Sequence, residues 1–202
     1  MAFIVFGVIM LLASQAVQGD DDAYGMEQHV GFFDRNQDGI IHIPETIEGF
    51  KALGIGAVEA ATSATAIHTA LSAHTRPGQP FDSSYPIVVE NIKLAKHTSD
   101  SGVYDEEGRF VTKKFEAIFA NHAHTRPNAL NSAKIDELLK ANRQPGDYNN
   151  WLAASAEWKL LYRLGKDADG FLPSENVRKV YDGSFFYQLA KNISSRHDKT
   201  KA

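Results

Sequence analysis

No cysteine occurs among the 202 residues. That excludes disulfides, thiolate-held zinc and iron–sulfur clusters. It also excludes a thiolate-ligated haem and covalent haem attachment through a CxxCH motif. A haem in this chain would draw its iron ligand from histidine, methionine or tyrosine. An excess of positive charge is missing as well: 21 Lys and Arg face 25 Asp and Glu, a formal net charge of -4. With no long basic run, nothing points to nucleic acid. The apolar run at the start, Ala2 to Ala13, is short of the ~20 residues that cross a bilayer.

Small residues lead from that run into Asp20, Asp21 and Asp22. The pattern reads as a secretory signal peptide over residues 1–19, cleaved near Ala16 or Gly19. No Lys or Arg stands at its head, so an N-terminal anchor is the rival reading. Either places the protein in the secretory pathway, outside the cell or on an endomembrane. Asn192-Ile193-Ser194 would then be a glycosylation acceptor.

The remainder divides into a domain over 20–193 and a polar tail over 194–202, expected to be mobile. Apolar periodicity predicts helices on both sides of a loop at 34–45, giving a helix–loop–helix unit over 26–53. A small-residue helix and a segment holding Pro77, Pro80 and Pro86 come next, over 56–87. Proline at this density fixes backbone angles and disfavours regular structure, so it reads as a stiff bend between two halves. A helical half completes the domain over 97–193. The expected fold class is mainly α: an EF-hand and a second, degenerate EF-like half, joined by a proline-rich bend.

The loop Asp34 to Glu45, DRNQDGIIHIPE, satisfies D-x-[DN]-x-[DN]-G-x5-E in full. Calcium is a hard cation that takes oxygen ligands. Asp34, Asn36 and Asp38 offer side-chain oxygens at positions one, three and five. Gly39 permits the sharp turn, and Ile40 offers its carbonyl at position seven. His42 stands at position nine, where water often mediates, and Glu45 at position twelve can chelate through both oxygens. A second stretch, KDADGFLPSEN, has an EF-like register. Gly165 and Asn176 fall at its first and twelfth positions, so it reads as a degenerate mate that keeps the turn and loses the ion.

The residues around the first loop, EQHVGFFDRNQDGIIHIPETIEGFKALGIG, resemble the caleosins, plant and fungal peroxygenases. TRPGQPF with YPIVVENI, AKHTSDSGVYDEEGRFV, WLAASAEWKLLYRLGKDADGFL and VRKVYDGSFFYQL extend the resemblance in order to about Lys191. It implies a calcium-dependent enzyme with haem b. Such an enzyme passes oxygen from a fatty-acid hydroperoxide to unsaturated fatty-acid chains or small acceptors. It also implies that His29 and His97 are the haem-binding and catalytic histidines, without saying which is proximal. The chain departs from the family pattern in its central helix, which carries Glu59 and His68, in a knot lacking its first proline, and at Gly165, commonly cysteine. The first two changes weaken insertion into a lipid droplet and leave peripheral membrane attachment or solubility. Two further readings stay open: a non-catalytic calcium-dependent lipid binder, and a calcium sensor acting on protein partners.

Overall fold

Glycine sets the length of the first helix. Gly25 precedes α1, Met26–Val30, and Gly31 ends it after five residues, as the poor helix propensity of glycine requires. The described residues of this computed structural model are 25–200, so the leader read at 1–19 lies outside them. A loop leads to strand β1, Ile40–Ile41. Helix α2, Ile43–Ala52, starts from a capping box in which the Glu45 side chain accepts from the His42 N–H and the His42 ring accepts from the Glu45 N–H. That arrangement satisfies two otherwise orphaned amides. Helix α3, Ala57–Thr75, buries Ala60, Ala64, Ile67, His68, Leu71 and Thr75, a three-to-four spacing that forms one stripe.

The proline-rich segment is not a bend between halves. Its irregular stretch, 76–86, ends at Pro86, the residue that can donate no amide. Beyond it Ile87–Val88 form strand β2, and a 3-10 turn, Val89–Ala95, comes after. Strand β2 pairs antiparallel with β1, Ile40 opposite Val88 and Ile41 opposite Ile87. The Val89 N–H donates to the Gly39 carbonyl at 2.9 Å. The proline segment is therefore the loop of a second helix–loop–helix unit, and it is the mate of the first.

The second half repeats the plan. Helices α4, Thr112–His122, and α5, Ser132–Asn142, flank strand β3, Ala129–Leu130. Helices α6, Tyr148–Gly165, and α7, Ser174–Tyr181, flank strand β4, Leu172–Pro173. Strand β4 pairs with β3, with Leu130 opposite Leu172. The KDADG turn thus pairs with the loop before α5, whereas its register in the sequence suggested the first loop as its mate. Ile41, Ile87, Leu130 and Leu172 are fully buried, so both strand pairs are anchored in the same hydrophobic core.

Helix α8, Ser184–Thr200, joins the halves. Phe186 meets Phe32 and Phe33 edge-on, with ring centroids 5.6 and 5.7 Å apart. Residues from Ser194 to Thr200, read from the sequence as a tail, continue this helix. The sequon lies on it, with Asn192 exposed. Among the described residues no helix is long and apolar enough to cross a membrane.

Candidate functional site

His29 sits on the inner face of α1 with no exposed surface. Its Nδ1 lies 2.6 Å from the Tyr104 hydroxyl, and its Nε2 is buried with no hydrogen-bond partner. Burial pushes the ring well below the usual histidine range, so it is neutral. With the proton on Nδ1, Tyr104 accepts, and its own hydroxyl turns to the Tyr181 carbonyl at 3.5 Å. Nε2 then carries a bare lone pair. An unsatisfied buried nitrogen costs about 1–3 kcal/mol, which makes this atom the clearest candidate in the site for meeting a ligand. Burial also pushes the Tyr104 phenol up, so it stays protonated.

His97 is a different kind of residue. Its Nε2 bonds Glu157 Oε1 at 2.7 Å, and its Nδ1 bonds the Thr98 carbonyl at 2.8 Å. Burial alone would depress the ring. The charge and hydrogen bond of Glu157, the Thr98 carbonyl and the charge of Asp100 more than offset that and hold it at about 9. The neighbouring residues are fastened too. The hydroxyls of Thr98 and Ser99 donate to Asp147 Oδ2 at 2.5 and 2.6 Å, and the Asn150 amide donates to Thr98 Oγ1 at 3.0 Å. Lys96 donates to the carbonyls of Tyr104 and Asp105 at 3.0 and 3.1 Å.

Haem b held by both His29 and His97 does not fit this arrangement. His29 has a free nitrogen, whereas both nitrogens of His97 are engaged. The cavity between Met26, Lys96, His97, Tyr104 and Glu157 measures about 20 Å³, room for a single water. Cofactor sites run to roughly 300–1,000 Å³. Ser101, whose hydroxyl lies 2.8 Å from the Tyr181 hydroxyl, borders this cavity and also an open groove of about 250 Å³ beside Lys114, Ile118 and His122.

In the loop at 34–45 the carboxylates turn onto the loop's own amides. Asp34 accepts from the N–H of Asp38 at 3.2 Å and of Gly39 at 2.9 Å. Glu45 accepts from Arg35, Asn36 and His42 at 3.0, 3.3 and 2.8 Å. Gly39 holds φ +83, a conformation natural to glycine. Among the described residues no three carboxylates or imidazoles converge on a common point. The donor set itself suits calcium: carboxylates of Asp34, Asp38 and Glu45, the Asn36 amide oxygen and the Ile40 carbonyl are hard oxygens at the required spacing. His42, at position nine, begins α2, and its N–H donates to Glu45 at 2.8 Å.

The loop between α6 and α7, which contains the KDADG turn and is the fourth of the four, holds a guanidinium instead. Arg126 lies 2.8 Å from Asp167 and 3.7 Å from Asp169, with its guanidinium over the Phe171 ring. The Asn176 amide donates to the Gly165 carbonyl at 2.8 Å, closing the loop from its twelfth position to its first. A Cβ on Gly165 would meet Leu172 at 2.9 Å, so packing explains the glycine there.

No motif of the sequence marks Glu157, Tyr104 or His68 as a site residue. Glu157 stands three residues after Ala154 and four before Leu161 on the buried face of α6; a carboxylate in that phase is the signal that could have found it. His68 donates from Nδ1 to the Tyr85 carbonyl at 2.7 Å and accepts from Thr46 at Nε2 at 2.8 Å. It ties α3 to α2 and to the end of the proline segment.

A family model described as Caleosin related protein matches residues 22–190. The chain is 51% identical over 174 residues to Probable peroxygenase 4 of Arabidopsis thaliana, covering 86% of this chain and 89% of that protein. It is 43% identical over 171 residues to Peroxygenase of Lilium longiflorum, covering 85% and 72%. It is also 43% identical over 154 residues to a Probable inactive peroxygenase-like protein of Arabidopsis thaliana, covering 76% and 74%. No solved structure matches the chain. The family match spans both helix–loop–helix pairs and both histidines, and the chain belongs to the caleosin family.

Proposed function

We propose that this protein is a calcium-dependent peroxygenase that transfers oxygen from a fatty-acid hydroperoxide to unsaturated lipids or small acceptors. The observation that carries the reading is the buried His29 with a free Nε2, inside a chain so similar to proteins named peroxygenase. Tyr104 orients the ring, and its neutral state lets Nε2 take and return a proton during the reaction. His29 is fully enclosed, so substrate reaches it only when α1 or the 96–104 segment shifts. The groove at Ser101 and Lys114 is an open space in which an acceptor could lie.

Calcium would be held by Asp34, Asn36, Asp38, Glu45 and the Ile40 carbonyl. Its role is to fix the loop between α1 and α2, and so the orientation of the helix that carries His29. The protein acts in the secretory pathway or at an endomembrane, dissolved or peripherally attached. Purified protein supplied with haem b, a fatty-acid hydroperoxide and an unsaturated fatty acid should form the oxygenated product in calcium and less in chelator. No product under either condition sinks the proposal.

The closed cavity and the engaged His97 favour a second reading, a non-catalytic calcium-dependent lipid binder. The relative named inactive has the same 43% identity as the lily protein, over 154 residues against 171. Calcium-dependent flotation with liposomes, without turnover, would select it.

A further inference from the structure

Glu157 lies inside a stretch that carries the family resemblance without being singled out there, yet it is 5% exposed on α6 and its carboxylate reaches His97 across 60 residues of chain. The two atoms facing the His97 ring, Glu157 Oε1 and the Thr98 carbonyl oxygen, are both acceptors. An imidazole can satisfy two acceptors only by donating from both nitrogens. Neither lone pair is then left for a metal. We infer that His97 is a positioning residue, a two-donor clamp seated on Glu157, and not a ligand of haem iron.

The clamp has something to position. His97 adjoins Lys96, which holds the carbonyl of Tyr104, and Tyr104 in turn bonds His29. Asp147 fastens Thr98 and Ser99 to the start of the same helix that carries Glu157. The line from Glu157 through His97 and Lys96 to Tyr104 therefore sets where the phenol meets His29. Removing one partner of a buried charged pair leaves the other uncompensated and is destabilising. The functional consequence rests on the peroxygenase reading; the ligation statement does not.

The test compares Glu157→Gln, His97→Gln and the double variant in the full chain. The two single variants should lower the melting temperature alike, and the double variant no further than the worse single one. Additive losses overturn the pairing. In haem-supplemented protein, His97→Gln should leave the wavelength of the main haem band where the wild type has it. A band shifted by His97→Gln and untouched by Glu157→Gln overturns the inference. Should the variants fail to fold or take up no haem, the wild type decides by nitrogen-15 spectra of its histidines at pH 7.5. The His97 ring should carry protons on both nitrogens, and a bare nitrogen there overturns the inference. A positioning role also requires that Glu157→Gln perturb the His29 ring signals and lower kcat at least tenfold at unchanged KM. Absence of turnover in the wild type would refute the peroxygenase reading while leaving the spectra to judge the clamp.

Discussion

The first and fourth loops share a frame and differ in how they are held. Each ends in a short strand paired with a neighbouring loop, and each turns on a glycine with positive φ, Gly39 and Gly170. In the first, the carboxylates of Asp34 and Glu45 are spread over the loop's own amides. In the fourth, Arg126 brings positive charge to Asp167 and Asp169, and Asn176 closes the loop onto Gly165. On the proposed reading one loop gathers its carboxylates around an external ion; the other carries its substitute in the sequence. Calcium dependence should therefore belong to one half of the molecule.

The largest effect that could break this contrast is loss of the ion. At a calcium concentration about 100 times its dissociation constant, binding stabilises the fold by ~2.7 kcal/mol. Asp34→Ala should abolish the calcium-induced rise in melting temperature, measured by calorimetry in calcium and in chelator. A rise that persists would move the ion elsewhere.

Next come two histidines, one packed in each half, with opposite pH signs. His97 is raised to about 9. Its contribution is complete below the unfolded value near 6.5 and is lost as pH rises through 9. His68, lowered chiefly by burial to about 4, contributes fully above 6.5 and loses it as pH falls through 4. Each limb is of order 2 kcal/mol. Denaturation followed from about pH 4 to about pH 10 should show both, with His97→Gln flattening only the alkaline limb.

Smaller effects sharpen the fourth loop. Asn176→Ala should cost about 1 kcal/mol by leaving the Gly165 carbonyl without its donor, equally in calcium and in chelator. Arg126→Ala should cost less than ~1 kcal/mol, because a guanidinium 40% exposed is screened by water. A calcium-dependent penalty in either variant would count against the division between the loops.

The sequence made some of this plain. Periodicity located the helices on both sides of the first loop, and the ligand spacing located the loop itself, because both are local properties. The pairing of strands was not legible. Two-residue strands such as Ile87–Val88 carry too little alternation to name a partner, and three prolines nearby argued for a linker. The sites behaved the same way. His29 stood out through its motif, but the free state of Nε2 depends on its surroundings in the fold. His97 carried the same expectation, and only the approach of Glu157, far away in the chain, gives it another task. His68 looked idle because Thr46 and the Tyr85 carbonyl meet it only after α2, α3 and the proline segment have packed.

Helix α8 has a consequence for how the chain can be cut. Phe186 lies against Phe32 and Phe33, the residues immediately before the first loop. The last element of the chain thus supplies interior surface to the first. A protease that nicks near Gly183 would expose that aromatic face even though every loop ligand remained in place. Damage at the C-terminal end should register as weakened calcium affinity, and the ion should in turn guard that end against digestion.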